Sequence, residues 1–208
     1  MPDAYHHRDS RCLSQGGLTV PKRHHMAALP SARLSVMKPV KKVAAPVQHV
    51  PSVELMPGDV ALGLAGDQLR TLLGSCVAVI LTDPRRTVGV MCHIVHVGQP
   101  NAANANNTAY GIVAMQDMFS RLTSVGAMAA RCEAYVFGGG NMFPNMKNAT
   151  NVGANNVEWV LDFLHHHDIP VVDHCLGGNG YRKVSWTVGS GEPLVETVFS
   201  EQGSDDGR

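Results

Sequence analysis

Two side chains in this 208-residue sequence are of the types that nucleophilic chemistry needs, a cysteine and a histidine seventeen positions apart. Cys76 directly follows Gly74 and Ser75 at the start of an apolar run, and His93 lies in the next apolar run. A thiolate is a strong nucleophile, and a neighbouring imidazole can take the thiol proton and later return it to a leaving group. If the fold brings the two side chains together, they can attack a carbonyl carbon.

The segments around Cys76 and His93 predict how the two side chains meet. Residues 71–82 (TLLGSCVAVILT) and 87–97 (TVGVMCHIVHV) are rich in branched aliphatic residues, which indicates two β-strands. Residues 83–86 (DPRR) have Asp first and Pro second, which is typical of a four-residue type I turn. With that turn, paired positions add to 169, and Cys76 lies directly opposite His93 on one face, with Cβ atoms about 4.5–5.5 Å apart. A one-residue bulge would instead turn His93 to the other face.

The corner before Cys76 has a predicted role of its own. We expect Gly74 to permit a kink that a Cβ atom would hinder, which leaves the sulfur accessible. The backbone amide of Cys76 at such a corner could face a developing oxyanion, as in hydrolases whose nucleophile lies on a sharp turn.

The rest of the chain predicts two helices among further strands. Residues 104–127 place apolar side chains at helical spacing and have Gly126 near their end, which indicates an amphipathic helix. Residues 153–169 show the same spacing, with Asn155 or Asn156 as the expected N-cap. Further strands are predicted within residues 131–143, 170–188 and 192–200. This order predicts an α/β (α+β) sandwich, with a mixed, largely antiparallel β-sheet and two main amphipathic helices in a single domain.

Composition divides the chain into three parts. Residues 1–46 contain paired histidines, scattered Pro and Ser, and no sustained period, so we expect a disordered basic N-terminal tail. Residues 47–200 are expected to fold, and residues 201–208 to form a flexible C-terminal tail. The first 50 residues carry a net charge of +6 and the remainder −6, so the folded part is mildly acidic, which argues against binding of nucleic acid.

Cysteine usage and hydropathy predict the compartment. The chain has five cysteines, an odd number, and no CxxC pair, which indicates free thiols rather than a disulfide framework or a zinc ribbon. No apolar run approaches the roughly 18 residues that a membrane span requires. We therefore expect a cytoplasmic protein without direct membrane insertion.

Other interpretations of the chemical residues stay open. Free cysteines are among the most often buried residues, so Cys76 could fill a core, and His93 could be a hydrogen-bonded structural side chain. The histidines at 165–167 diverge by about 100° each on a helix, so they cannot present three ligands to one metal ion. The glycine-rich stretches at 137–143 and 177–182 match neither GxGxxG nor GxxxxGK[ST] in the required setting. They predict turns or close backbone approach near the active cleft.

Five motifs in order resemble one family. They are LLGSCVAVILTDP, GVMCHIV, VFGGGNMF, NVGANNVEWVLDFL and DHCLGGNGYRKV, and they run from about Val53 to Val198. With these motifs the chain resembles the chemoreceptor glutamine deamidases, the CheD family. The resemblance implies an α/β sandwich fold and a cytoplasmic hydrolase that converts glutamines of methyl-accepting chemotaxis receptors to glutamate, releasing ammonia, with no metal or organic cofactor. It also implies a CheC-like phosphatase as a possible partner.

The resemblance assigns the catalytic residues and shows departures. Cys76 and His93 match the family's cysteine and histidine. The family has a third, orienting Thr in the strand before the corner, in some members six positions before the Cys, where this chain has Arg70. Thr71 is the nearest candidate, although strand alternation would point it the other way unless the corner shifts the phase.

Two further departures concern the surroundings of the pair. His96 replaces an apolar residue and should face away from His93, and Tyr181 replaces a small residue before the Arg of the last motif. Two alternatives to a protein-glutamine deamidase remain. One is a non-catalytic adaptor that binds receptors or CheC-like phosphatases, and the other is a Cys-dependent amidase of small molecules.

Overall fold

The structure of the chain is a computed structural model, and it describes residues 52–142, 151–189 and 191–199. The described residues contain two α-helices, α1 Gly111–Ser124 and α2 Val152–His166, and short 3-10 turns at Ala102–Asn104 and Ala129–Arg131. The strands in these residues are β1 Ser52–Leu55, β2 Val60–Leu64, β3 Gln68–Leu73, β4 Val77–Thr82, β5 Val88–Ile94, β6 Glu133–Gly138, β7 Val171–Leu176, β8 Tyr181–Thr187 and β9 Leu194–Val198. The predicted tails at 1–46 and 201–208 lie outside the described residues.

The strands form two sheets. One has four strands in the order β1-β3-β8-β9, and the other has five in the order β2-β5-β4-β6-β7. Within them, the β1–β3 and β6–β7 pairs are parallel and the other five pairs are antiparallel. The predicted α+β sandwich with two main helices and mixed, largely antiparallel strand pairing is confirmed, and the structure divides the strands between two layers.

Three layers stack on two apolar cores. The four-stranded sheet packs against one face of the five-stranded sheet, and both helices pack against its other face. Strands β4 and β5 are buried at every residue because they are covered on both sides, whereas β3 alternates buried and exposed residues. Side chains between the sheets include Leu69, Ile80, Met91, Phe137 and Trp186, and those beneath the helices include Val79, Met115, Met118, Val160 and Leu164. A side chain on β4 or β5 therefore faces either the other sheet or the helices.

Both predicted helices are present, but the second begins earlier than expected. Asn151 is its N-cap, and the Asn151 side chain accepts a hydrogen bond from the Ala154 N–H at 3.0 Å. The prediction of Asn155 or Asn156 as N-cap was wrong, because both lie inside α2 and Asn156 is buried beneath it. An asparagine is favoured at an N-cap, but a buried amide can also satisfy carbonyls of other segments, and the sequence does not separate the two roles.

The hairpin of β4 and β5 has a register shifted by two from the predicted one. The four-residue turn forms, with the Arg86 N–H donating to the Asp83 carbonyl at 2.8 Å. The side-chain carboxylate of Asp83 also accepts hydrogen bonds from the N–H groups of Thr87 and Val88, so the first β4–β5 pair is Thr82 with Gly89. The connection is therefore longer than the four residues that were predicted to form it.

The predicted opposition of Cys76 and His93 was wrong, since Ala78 pairs with His93. A shift of two residues keeps every side chain on its face, so the predicted common face of Cys76 and His93 survives the change.

The predicted continuous strand at 71–82 is interrupted. Strand β3 ends at Leu73 in one sheet and β4 begins at Val77 in the other, so residues 74–76 form the corner between two layers. Gly74 has no left-handed backbone angle, but a Cβ atom there would lie 3.0 Å from the Met142 sulfur. The corner at Gly74 thus needs no left-handed backbone, and the glycine lies in close contact with Met142.

The histidines at 165–167 lie at the C-terminal end of α2. His165 and His166 end α2, and the ring of His167 packs on Phe163 with centroids 4.3 Å apart. Among the described residues, no group of three or more His, Cys, Asp or Glu side chains is arranged to hold a metal ion.

No helix in the described part of the chain is long and apolar enough to cross a membrane.

Candidate active site

His93 is held by a threonine from the opposite sheet. It lies on β5, is 2% exposed, and its Nδ1 atom is 2.9 Å from the Thr71 hydroxyl. Thr71 lies on β3, is also 2% exposed, and donates a hydrogen bond to the Leu55 carbonyl at 2.9 Å. Strand alternation would have pointed Thr71 away only if Thr71 and Cys76 shared one strand, and the corner changes the phase, which is the exception that the prediction allowed. They lie on either side of the corner, and Thr71 reaches His93 across the space between the sheets.

These contacts fix which nitrogen of His93 carries the proton. A threonine hydroxyl has a single proton, and that of Thr71 is donated to Leu55. The Thr71 oxygen can therefore only accept from the ring, so Nδ1 carries the hydrogen and Nε2 carries the lone pair. Nε2 is buried and has no hydrogen-bond partner among the residues that the structure describes. The lone pair of Nε2 is therefore available to accept a proton, and a buried polar atom left unpaired is costly in a purely structural side chain.

Cys76 lies on the same side of the sheet as His93. It is half-buried and packs against the apolar cluster between the two sheets, the space into which the His93 ring points. Because Ala78 pairs with His93, Cys76 is one diagonal step away, a relation that places Cα atoms about 7–8 Å apart in a regular ladder. The pair thus shares a face and one end of the sandwich.

Three glycines at the end of β6, the glycine run of residues 138–140, contact the corner of Cys76 through their backbone. The Gly139 N–H donates to the Cys76 carbonyl and the Gly140 N–H donates to the Gly74 carbonyl, each at 2.8 Å. Gly138 has φ +114°, and a Cβ atom on it would overlap the Cys76 carbonyl oxygen. The prediction that this glycine-rich stretch serves close backbone approach is confirmed, since any side chain here would displace the corner.

Burial sets the resting protonation state of both groups. It raises the pKa of the Cys76 thiol above its ordinary value of 9.0, although the residue's own backbone N–H partly offsets this by stabilising the thiolate. Burial lowers the pKa of His93 below 6.5, against the opposing effects of the Leu55 carbonyl and the Asp59 carboxylate. At neutral pH the site therefore holds a thiol and a neutral imidazole.

Three other residues that the sequence singled out have contacts outside the Cys76–His93 pair. Arg70 points to solvent and pairs with Glu54 at 2.9 Å, so it does not occupy the orienting position. His96 is exposed and its ring packs on Tyr110, with centroids 5.3 Å apart. Tyr181 is 43% exposed and lies beside Gly74 at the corner. Of the three, Tyr181 lies beside the corner, whereas Arg70 and His96 have their partners elsewhere.

Sequence reasoning missed two contributors to the site. The Leu55 carbonyl fixes the Thr71 hydroxyl, and the Asn156 amide lies at the end of the hairpin. A backbone carbonyl leaves no signal in the sequence. Asn156 did leave one, as a polar residue on the apolar stripe of α2, but it was assigned to a cap.

Two shallow clefts open near the corner. One of about 380 Å³ lies between the end of β5 and the starts of both helices, and includes His96, Tyr110 and Asn156. The other, of about 430 Å³, includes Gly139 and Gly177. Neither cleft is lined by Cys76 or His93, so neither by itself forms the site of chemistry.

Known proteins similar to this chain agree on one family. The family model described as CheD chemotactic sensory transduction matches residues 96–197, which begin just after His93. The chain is 37% identical over 149 residues to a probable chemoreceptor glutamine deamidase CheD 2 of Albidiferax ferrireducens, a match that covers 70% of this chain and 86% of the relative. It is 34% identical over 152 residues to a probable chemoreceptor glutamine deamidase CheD of Bordetella petrii, covering 72% and 68%. A protein of the same name from Methanococcus maripaludis is 30% identical over 138 residues, covering 66% and 90%. Since these identities extend over most of each relative, the chain belongs to the CheD family.

Proposed function

We propose that this protein hydrolyses the side-chain amide of glutamines in chemotaxis receptors, giving glutamate and ammonia. The names of the relatives support the substrate, since each is a probable chemoreceptor glutamine deamidase. The observation that carries the chemistry is the unpaired, buried Nε2 of His93, on the same face as the Cys76 thiol. A base and a nucleophile so placed support acyl transfer from an amide.

The first half of the reaction forms a thioester. Nε2 of His93 takes the Cys76 proton, and the thiolate attacks the carbon of the glutamine carboxamide to give a tetrahedral oxyanion. Collapse of that oxyanion breaks the C–N bond, and the imidazolium gives its proton to the departing nitrogen, which leaves as ammonia. Cys76 is then bound to the former glutamine side chain as an acyl group.

The second half returns the enzyme. His93, neutral again, takes a proton from water, and the resulting hydroxide attacks the thioester carbon. The C–S bond breaks, glutamate leaves, and the sulfur regains a proton from the imidazolium. One water is consumed and one ammonia is released for each glutamine, and this balance needs neither a metal nor an organic cofactor.

Thr71 and the backbone have supporting roles in this proposal. The Thr71 oxygen accepts the Nδ1 proton throughout, so it keeps the lone pair on Nε2 and stabilises the imidazolium. The N–H of Cys76 lies within hydrogen-bonding reach of its own sulfur, close to where the oxyanion would form. We assign the catalytic roles to Cys76, His93 and Thr71.

Mass spectrometry of a co-expressed receptor fragment tests the function. The intact protein should add roughly one dalton at each modified glutamine, the change expected when hydrolysis replaces an amide nitrogen by oxygen. Cys76→Ala should abolish the gain. Cys175→Ser, at a second half-buried thiol, should retain it. A gain that persists in Cys76→Ala would remove Cys76 from the mechanism. Receptor binding without any gain in the unaltered protein would favour the non-catalytic adaptor.

The place of action and one partner complete the proposal. Action on the cytoplasmic helices of receptors implies a cytoplasmic protein. A CheC-like phosphatase is proposed as a partner on the resemblance of the motifs alone. Co-purification of the two proteins from a cell that expresses both would test this partner, and it is independent of the deamidation assay.

A further inference from the structure

We propose that Asn156 is a positioning residue that sets the spacing between the nucleophile's corner and the strand of the base. The inference rests on the proposed function, because it concerns the geometry of the same site. Asn156 lies on α2, is 1% exposed, and faces the end of the β4–β5 hairpin. Its side-chain nitrogen donates to the Ser75 carbonyl at 3.1 Å and to the Val95 carbonyl at 3.2 Å.

The two acceptors lie where the hairpin ladder stops. The last pair is Val77 with Ile94, so Cys76 and Val95 would form the next one. That pair is not formed, because the Val95 N–H donates to Ala109 and the Cys76 carbonyl accepts from Gly139. Both strands thus turn away from each other one residue beyond the ladder, and backbone hydrogen bonds between them end there.

The Asn156 amide bridges this gap. An amide nitrogen has two hydrogens, and each carbonyl receives one of them. The acceptors are the residue before Cys76 and the second residue after His93, so the bridge spans the two segments that carry the catalytic pair. It replaces the missing backbone pair with one rigid side chain, and it holds the two segments at a fixed separation.

The start of α2, the helix that carries Asn156, is itself held in place. Asn151 caps α2, and Gly153 packs so closely on the carbonyl oxygens of Gly139 and Gly140 that a Cβ atom would overlap the first of them. Gly153, Asn156 and Val160 lie on one face of α2, since residues three and four apart share a face. The helix start, the glycine run and the Cys76 corner therefore form one packed unit.

The substitution Asn156→Asp tests this role with almost no change of shape. It replaces the donor nitrogen by a carboxylate oxygen that faces two carbonyl oxygens, so the bridge is lost and repulsion replaces it. We expect kcat for ammonia release to fall about 100-fold with KM within about twofold, because a displacement near 1 Å can cost that much. Asn155→Asp is the matched control, since it adds the same charge one residue earlier on the exposed side of α2. It should leave both constants unchanged.

Alkylation of Cys76 by iodoacetamide provides a readout that needs no receptor. In Asn156→Asp the rate at pH 7 should fall about tenfold, and the pH profile should move toward that of His93→Ala, as for a thiol that has lost its base. This arm keeps the proposal separate from the proposed function. If the unaltered protein modifies no receptor glutamine but the profile still moves as described, the positioning role stands and the assigned substrate does not.

Asn156→Ser guards against a variant that does not fold. It keeps one hydroxyl donor in a smaller side chain, and its thermal unfolding is measured beside the activity. A folded Asn156 variant with the kcat and alkylation profile of the unaltered protein would overturn the proposal. So would a loss confined to KM, or an equal loss in Asn155→Asp. Loss of the folded state in both Asn156 variants would assign this residue to folding alone, and would overturn the proposal as well.

Discussion

Replacement of Thr71 by valine tests the orientation of the catalytic base. The two side chains have nearly the same shape, so the change removes one hydroxyl and little else. The hydroxyl serves two buried groups, the Leu55 carbonyl and the Nδ1–H of His93, and both lose their partner. A buried polar group left unpaired costs about 1–3 kcal/mol. The Leu55 carbonyl also acts directly on His93, so the two groups can partly pair with each other, and we expect a net loss of stability of about 2 kcal/mol.

The effect on the reaction follows from the same contact. Without the Thr71 oxygen the ring loses its fixed tautomer, and the imidazolium loses its acceptor in the transition state. A hydrogen bond worth about 1.4–2.8 kcal/mol corresponds to a fall in kcat of about 10- to 100-fold. The assays are ammonia release from a receptor fragment, alkylation of Cys76 at pH 7, and denaturant unfolding. Both rates should fall with little change in KM.

Arg70→Ala is the control for this substitution. Arg70 is the preceding residue on β3 and points to solvent, where it pairs with an exposed Glu54. Exposed pairs contribute at most about 1 kcal/mol, so activity should be unchanged and stability nearly so. The reasoning is refuted if Thr71→Val loses stability but keeps kcat and the alkylation rate within about twofold, since the hydroxyl would then serve the fold alone. It is equally refuted if Arg70→Ala loses activity as Thr71→Val does.

Four further predictions concern the site and its surroundings. Because burial lowers the pKa of His93, ammonia release should fall on the acid side with a midpoint below 6.5, and a midpoint at or above 6.5 contradicts this. For the same reason the unfolding free energy should decline as pH drops below 6.5, where the unfolded chain binds a proton that buried His93 does not, and His93→Gln should flatten this decline. Gly138 has φ +114° and a Cβ atom on it would overlap the corner, so Gly138→Ala should cost more than about 3 kcal/mol in denaturant unfolding and abolish activity. Gly66 has φ +100° and open space around it, so Gly66→Ala should cost about 1 kcal/mol. Equal costs would contradict the role of the overlap. Burial raises the pKa of Cys92 to about 12 and of Cys132 to about 11, so neither should be alkylated in the native protein at pH 8, and peptide mass spectrometry that found either one labelled before unfolding would contradict this.

The sequence determined by itself those features that depend on neighbours along the chain. The apolar stripe of α1 and the turn at 83–86 follow from side-chain period and turn chemistry. The shared face of Cys76 and His93 followed too, because alternation along a strand decides which face each side chain occupies. The predicted register was wrong by two residues, and a shift of two residues leaves every side chain on the same face.

Only the tertiary structure decided how the site is assembled. The register depended on the Asp83 carboxylate, which accepts hydrogen bonds from two backbone N–H groups beyond the turn. The corner places β3 and β4 in different sheets. Thr71 meets His93 across the space between those sheets, and Asn156 meets the corner from a helix. Such contacts join segments far apart in the chain, and packing of whole layers sets their distances. Local period and propensity carry no information about that packing, so the tautomer of the base and the bridge beside it could be read only from the folded molecule.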